Sequence, residues 1–167
     1  MKKHWYRMKF NWWLLLHRKN AWISSLSSNY CELSLKILMN RFTPQYYGSM
    51  APVAMLEATD VIYEWLLLKN LGKEYVVFSK ETHIKNIRPA KQSLYAHFII
   101  NPFLVFDIIE KVEHWQEHEF SFWITLKDKQ DKIYAQIEKT VYVARKDFYK
   151  IRQAHVQYEN TLSKLIS

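Results

Sequence analysis

"GSMAPVAMLEATDVIYEWLLLKNLG", Gly48 to Gly72, is bounded by the only two glycines in the chain. Met50, Val53, Ala54, Val61, Trp65 and Leu68 recur along it at helical steps. That spacing predicts one helix from Ser49 to Leu71, about six turns long. Ser49 stands where an N-cap belongs, and Pro52 then falls in the first turn, where a missing N–H does no harm. Gly72 stands where a left-handed glycine ends a helix.

The flanking sequence changes period. "CELSLKIL" upstream alternates Leu33, Leu35 and Ile37 against Glu32, Ser34 and Lys36, which predicts a strand. Residues 21–28 read as a second strand and 40–47 as a loop. Downstream, "EYVVFSKETHIKNI" and "SLYAHFII" read as strands separated by "RPAKQ". "NPFLVFDIIEKVEHW" predicts a helix opened by Pro102. "HEFSFWITL" and "KIYAQIEKTVYVAR" alternate on either side of the turn "DKQDK". Consecutive hairpins around one apolar helix predict an α+β fold with an antiparallel sheet, rather than a doubly wound parallel one. The chain reads as a single domain: an N-terminal helix over 1–20, a core over 21–145 and a C-terminal helix over 146–167.

Composition narrows the function. A chain of 167 residues, 49% hydrophobic, can bury a core and is not disordered. Aromatic residues make up 16%, enough to line a pocket with rings. The single cysteine, Cys31, cannot form an internal disulfide and reads as a buried structural thiol, in keeping with a reducing compartment. The apolar core of "MKKHWYRMKFNWWLLLHRK" is too short for a signal peptide or a membrane span, so a cytoplasmic protein is expected. The formal charge of +8 suits a solvated basic surface, an anionic ligand such as coenzyme A, or a membrane surface. The scattered basic residues show no zinc spacing and no RNA-binding signature, so no nucleic-acid partner is expected.

Two stretches carry a resemblance. "NRFTPQYYGSM" is similar to the Asn, short loop and His-Gly-Gly-like turn that opens the central helix in many hot-dog thioesterases, and to the Asn-x-x-Gly-Thr-x-Phe-Gly-Gly-Ser pattern of one subgroup. Asn40, Tyr46, Gly48 and Ser49 take the matching positions. "LGKEYVVFSKETHIKNIRPAKQSLYAHF" resembles the Leu-Gly, Tyr, Ile, Pro and Leu-Tyr-Ala pattern of the same subgroup, a thioesterase-like domain family of unknown function. Leu71, Gly72, Tyr75, Val77, Ile84, Pro89, Leu94, Tyr95 and Ala96 match. The resemblance implies a hot-dog fold, in which a curved antiparallel sheet wraps a long central helix, with extra N- and C-terminal helices here. It also implies an acyl-CoA or acyl-carrier-protein thioester as substrate and a homodimer or dimer of dimers. No cofactor is implied beyond the coenzyme A of the substrate. Tyr47 replaces the first of the paired glycines. Met55 stands where many catalytic relatives carry an acid.

Hydrolysis of a thioester needs donors at the developing oxyanion and a group that activates water or attacks the carbonyl. The head of a helix offers free N–H groups, and glycine permits close approach. Gly48, Ser49 and Met50 are therefore the oxyanion candidates, against a plain turn with no ligand. Tyr46 and Tyr47 either hydrogen-bond a ligand or pack. Glu57, Asp60 and Glu64 form an acidic stripe, either solvated or paired with lysine, or else supplying a general base or nucleophile. Glu57 leads, Asp60 is its substitute, and Asn40 joins them through the resemblance. Lys85, Arg88 and Lys91 are candidates for the phosphates of coenzyme A, or ordinary surface charge. His83 reads as a surface residue, and His114 with His118 lacks a third ligand, so no metal site is expected. Three functions follow: an acyl thioesterase, a non-catalytic acyl-binding module that has lost its acid, or a basic protein in peripheral contact with membranes through "WYRMKFNWWLLL".

Overall fold

A computed structural model describes residues 20–166, with side chains through Tyr158. The expected helix over 1–20 lies outside the described residues, apart from Asn20. From Ala21 the order is β1 (Ala21–Leu26), β2 (Glu32–Ile37), β3 (Gln45–Tyr46), β4 (Ser49–Met50), α1 (Pro52–Thr59) and α2 (Ile62–Leu71). Then follow β5 (Tyr75–Asn86), β6 (Leu94–Ile99), α3 (Pro102–Trp115), β7 (Glu117–Lys127), β8 (Ile133–Arg145) and α4 (Lys146–Ile166). The main sheet has the order β1-β2-β6-β7-β8-β5, with every neighbouring pair antiparallel. The alternations read from sequence hold: Leu33, Leu35 and Ile37 on β2, and Phe120, Phe122, Ile124 and Leu126 on β7, are buried. They pack with Ala54, Met55, Ala58, Ile62, Tyr63, Leu66 and Leu67 of α1 and α2 in one core.

The central helix is not continuous. It breaks between Thr59 and Ile62. The Thr59 hydroxyl donates to Met55 O at 2.9 Å, a back-bond that competes with the helical ladder. Its buried stripe also differs from the expected one, because Val53 and Leu68 are exposed while Met55, Ile62 and Leu66 are buried. The segment is apolar nearly all round, so spacing alone does not choose its inner face.

The glycine at the head of this region has a different job from the one expected. Tyr46 pairs with Ser49, and between them Tyr47 and Gly48 both take positive φ, 49° and 70°. This is a two-residue hairpin turn of the primed kind. The helix begins only at Pro52, and its N-cap is Ala51 rather than Ser49. The Ser49 hydroxyl instead donates to Tyr46 O at 2.8 Å, within the hairpin. Gly72 does end α2, at φ 91°, with its N–H donated to Leu68 O at 3.1 Å. A Cβ added at Gly48 would meet nothing within 4 Å, so Gly48→Ala tests the backbone alone. It is expected to lose about 1–2 kcal/mol, read as a fall in the urea midpoint with an unchanged slope.

One seam crosses the sheet. β7 pairs with β8 from Glu117↔Ala144 to Lys127↔Ile133, whereas β6 meets β7 only at Tyr95↔Lys127. Tyr63 of α2 fills the gap from inside. Its ring stacks on Phe122 at 4.4 Å and meets Phe98 edge-on at 5.2 Å. Its hydroxyl donates to Trp123 O at 3.4 Å and is hydrogen-bonded by the Ile99 backbone. A phenol therefore stands where ladder bonds are missing.

Candidate functional site

The hairpin β3–β4, the head of α1 and the end of β5 enclose a groove of about 340 Å³. Tyr46, Ser49 and Met50 form one wall, Ile87 and Arg88 the other, and Met55 lines it from α1. Three expected substrate-binding residues and one expected phosphate ligand thus share one groove. The Met50 N–H is donated to Ala90 O at 2.7 Å, which ties the hairpin to the chain after β5. Ala51 N–H is donated to Pro44 O at 2.9 Å. Tyr47 is 88% exposed at the hairpin tip, its ring edge-on to Tyr46. Arg88 lies 5.8 Å from the centre of the Tyr134 ring, a cation–π contact that steadies its guanidinium. Lys85 and Lys91 are exposed and outside the lining.

Asn40 shapes the loop that leads to the hairpin. Its side-chain oxygen accepts the N–H groups of Phe42 at 2.8 Å and Thr43 at 3.2 Å. The buried Thr43 hydroxyl then donates to Leu38 O at 2.6 Å. Short polar side chains that bond their own backbone in this way fix turns.

The acidic stripe divides. Glu57 is exposed on α1, beyond the groove lining. Asp60 stands at the helix break, where its Oδ1 accepts from Lys139 Nζ at 2.9 Å and its carbonyl accepts from the same ammonium. Glu64 Oε1 lies 3.9 Å from that ammonium and accepts the Ser79 N–H at 2.8 Å. Lys139, on the helix-facing side of β8, is 0% exposed. Sequence reading missed it, although a lysine at an inward position of an alternating strand was the available signal. Beside it the Ser79 hydroxyl is buried with no hydrogen-bond partner among the described residues. Ser79 sits at a bulge in β5, an outer strand of the sheet.

The remaining candidates lie elsewhere. Cys31 is buried, and burial, followed by the charge of Glu32, pushes its thiol up, away from a reactive thiolate. His83 is exposed and 3.6 Å from Glu81. Among the described residues no three side chains are grouped to hold a metal, His114 and His118 included.

Solved structures with the same fold include a protein of unknown function from Pseudomonas aeruginosa described as a "Probable Thioesterase". It is 15% identical, with a TM-score of 0.69 over 78% of this chain and 87% of that one. A thioesterase from Haemophilus influenzae is 11% identical, with a TM-score of 0.61 over 83% and 90%. A Chlorobaculum tepidum protein of unknown function is 10% identical, with a TM-score of 0.67 over 83% and 94%. At such identities the likeness shows the fold, an antiparallel hot-dog sheet packed on helices. No curated protein matches the chain. The profile described as "Domain of unknown function (DUF4442)" matches residues 20–143, most of the sequence, and the chain therefore belongs to the DUF4442 family.

Proposed function

We propose that this thioesterase-like protein binds acyl thioesters in the groove at the head of α1 and hydrolyses them. The observation that carries the reading is the company kept in that groove. Met50, Met55 and Ile87 offer apolar walls to an acyl chain or a pantetheine arm, and Arg88 offers a fork to a carrier phosphate. The carrier is coenzyme A or an acyl-carrier protein. Asp60 is occupied as the counter-ion of Lys139, so of the two expected acids Glu57 is left for the role of base, on the same helix as Met55 but outside the groove lining.

A homodimer belongs to the same reading. Val53, Glu57, Asp60 and Glu64 follow one another down α1 and α2 at helical spacing, and Glu64 touches β5 through Ser79. β5 is a long outer strand, and a second copy pairing along it would remove an aggregation-prone edge and cover the acidic stripe. The rival reading, an acyl-binding module without catalysis, draws on Met55, which is 1% exposed where an acid is usual in catalytic relatives.

The test is free-thiol release from acyl-CoAs of several chain lengths. Wild type is expected to release thiol, and Glu57→Gln to lower kcat by more than about 10²-fold. Arg88→Ala is expected to raise KM for acyl-CoA about tenfold, and to leave a short thioester without phosphates unaffected. Light scattering should give twice 20.3 kDa. Saturable acyl-CoA binding with no release at any chain length would replace the enzyme by the binding module.

A further inference from the structure

The helix α4 is 21 residues long and amphipathic, and it leaves the sheet immediately after β8. One side is anchored to the body. Tyr149 packs near Phe78 and Tyr142, with ring centres 6.0 and 6.2 Å away, and Arg152 is ion-paired with Glu117. Ile151 follows Tyr149 by two residues, about 200° round the helix, and so points away from the body. It is 71% exposed, and Tyr158, two turns further on the same side, is 64% exposed. Lys146 and Lys150, also exposed, lie one turn apart beside this stripe.

A water-facing apolar stripe on a docked helix asks for a cover. On this face a second copy would set Lys146 and Lys150 near the same lysines, whereas an anionic surface is drawn to them and to the formal charge of +8. No helix among the described residues is long and apolar enough to cross a membrane. A helix of this kind, polar overall with an apolar stripe flanked by lysines, is built to lie in the headgroup region. We propose that α4 seats the protein on an anionic lipid surface. Ile151 and Tyr158 enter the boundary between headgroups and acyl chains, and Lys146 and Lys150 meet lipid phosphates. The inference does not depend on thioester chemistry.

The experiment is sedimentation of the full chain with vesicles of phosphatidylcholine, alone or with one-third phosphatidylglycerol. Binding is expected to the anionic vesicles only, and to weaken as salt is raised. Ile151→Glu with Tyr158→Glu should lower the partition coefficient at least about tenfold, and Lys146→Glu with Lys150→Glu by a similar factor. All four side chains are exposed or away from the body, so melting curves of both variants should overlay that of wild type. No binding to anionic vesicles, or equal binding to neutral ones, would overturn the proposal. So would a fall in molecular mass for the Ile151→Glu, Tyr158→Glu variant with vesicle binding unchanged, since the stripe would then join two copies.

Discussion

Asp60→Asn combined with Glu64→Gln is expected to destabilise the protein by about 3–5 kcal/mol. The two carboxylates are the acids that face Lys139, whose side chain is 1% exposed. Neutralising them leaves a buried ammonium between helix and sheet with no anion to balance it, only neutral oxygens such as the backbone carbonyl of residue 60. Asp60→Asn alone should lose less, because Glu64 remains within 3.9 Å and can close on the ammonium. Adding Lys139→Met to the double variant should recover most of the loss, since a methionine fills similar space without charge. Urea denaturation followed by far-UV circular dichroism reads all four proteins. A double variant as stable as wild type would show that the pairing contributes nothing.

The second large effect lies at the seam. Tyr63→Ala is expected to lose about 3–5 kcal/mol through the cavity left between Phe98 and Phe122, and Tyr63→Phe about 1 kcal/mol through the lost hydroxyl. The hydroxyl also makes stability depend on alkali. Burial pushes the Tyr63 phenol up to about 12, against a smaller opposite pull from the Ile99 backbone. The unfolded chain releases this proton near pH 10, and the folded one holds it until about 12. The contribution is therefore complete below pH 10 and is lost as pH rises from 10 through 12. Over that window it amounts to roughly 2–3 kcal/mol. Tyr63→Phe should lose stability less steeply over the same range. It keeps a residual slope from Tyr142, which burial and then Glu117 also push up to about 12. Phenolate absorbance gives the titration, and urea unfolding across the window gives the slope. Faster exchange of the Ile99 amide in Tyr63→Phe would confirm that the hydroxyl bridges the strands.

Much of the fold was legible because the strands are one-sided. Leu33, Leu35 and Ile37, or Phe120 through Leu126, can face only one core, and period 2 announces it. The break after Thr59 was not legible, since it falls in a segment apolar on nearly every face and is accompanied by contacts no local pattern announces, the Thr59 back-bond and the distant Lys139 on the Asp60 carbonyl. The turn at Tyr47–Gly48 was hidden by the tyrosine, a residue that seldom takes positive φ and here does so at a two-residue hairpin. The groove was half legible. Local sequence supplied Tyr46, Ser49 and Met50, but only the return of the chain after β5 places Arg88 opposite them. Lys139 lies 79 residues from Asp60, so no local spacing joins the two.

The seam makes the sheet two plates rather than one. An unbroken antiparallel sheet resists bending because many ladder bonds must deform together. Here β1, β2 and β6 form one plate and β7, β8 and β5 the other, joined by a single register pair and a phenol. Such a sheet changes curvature by turning about one line, without breaking a ladder in either plate. The plates cannot drift apart, because they are interleaved along the chain: β5 belongs to the second plate yet precedes β6 of the first. The molecule thus has a built-in crease along the line between β6 and β7.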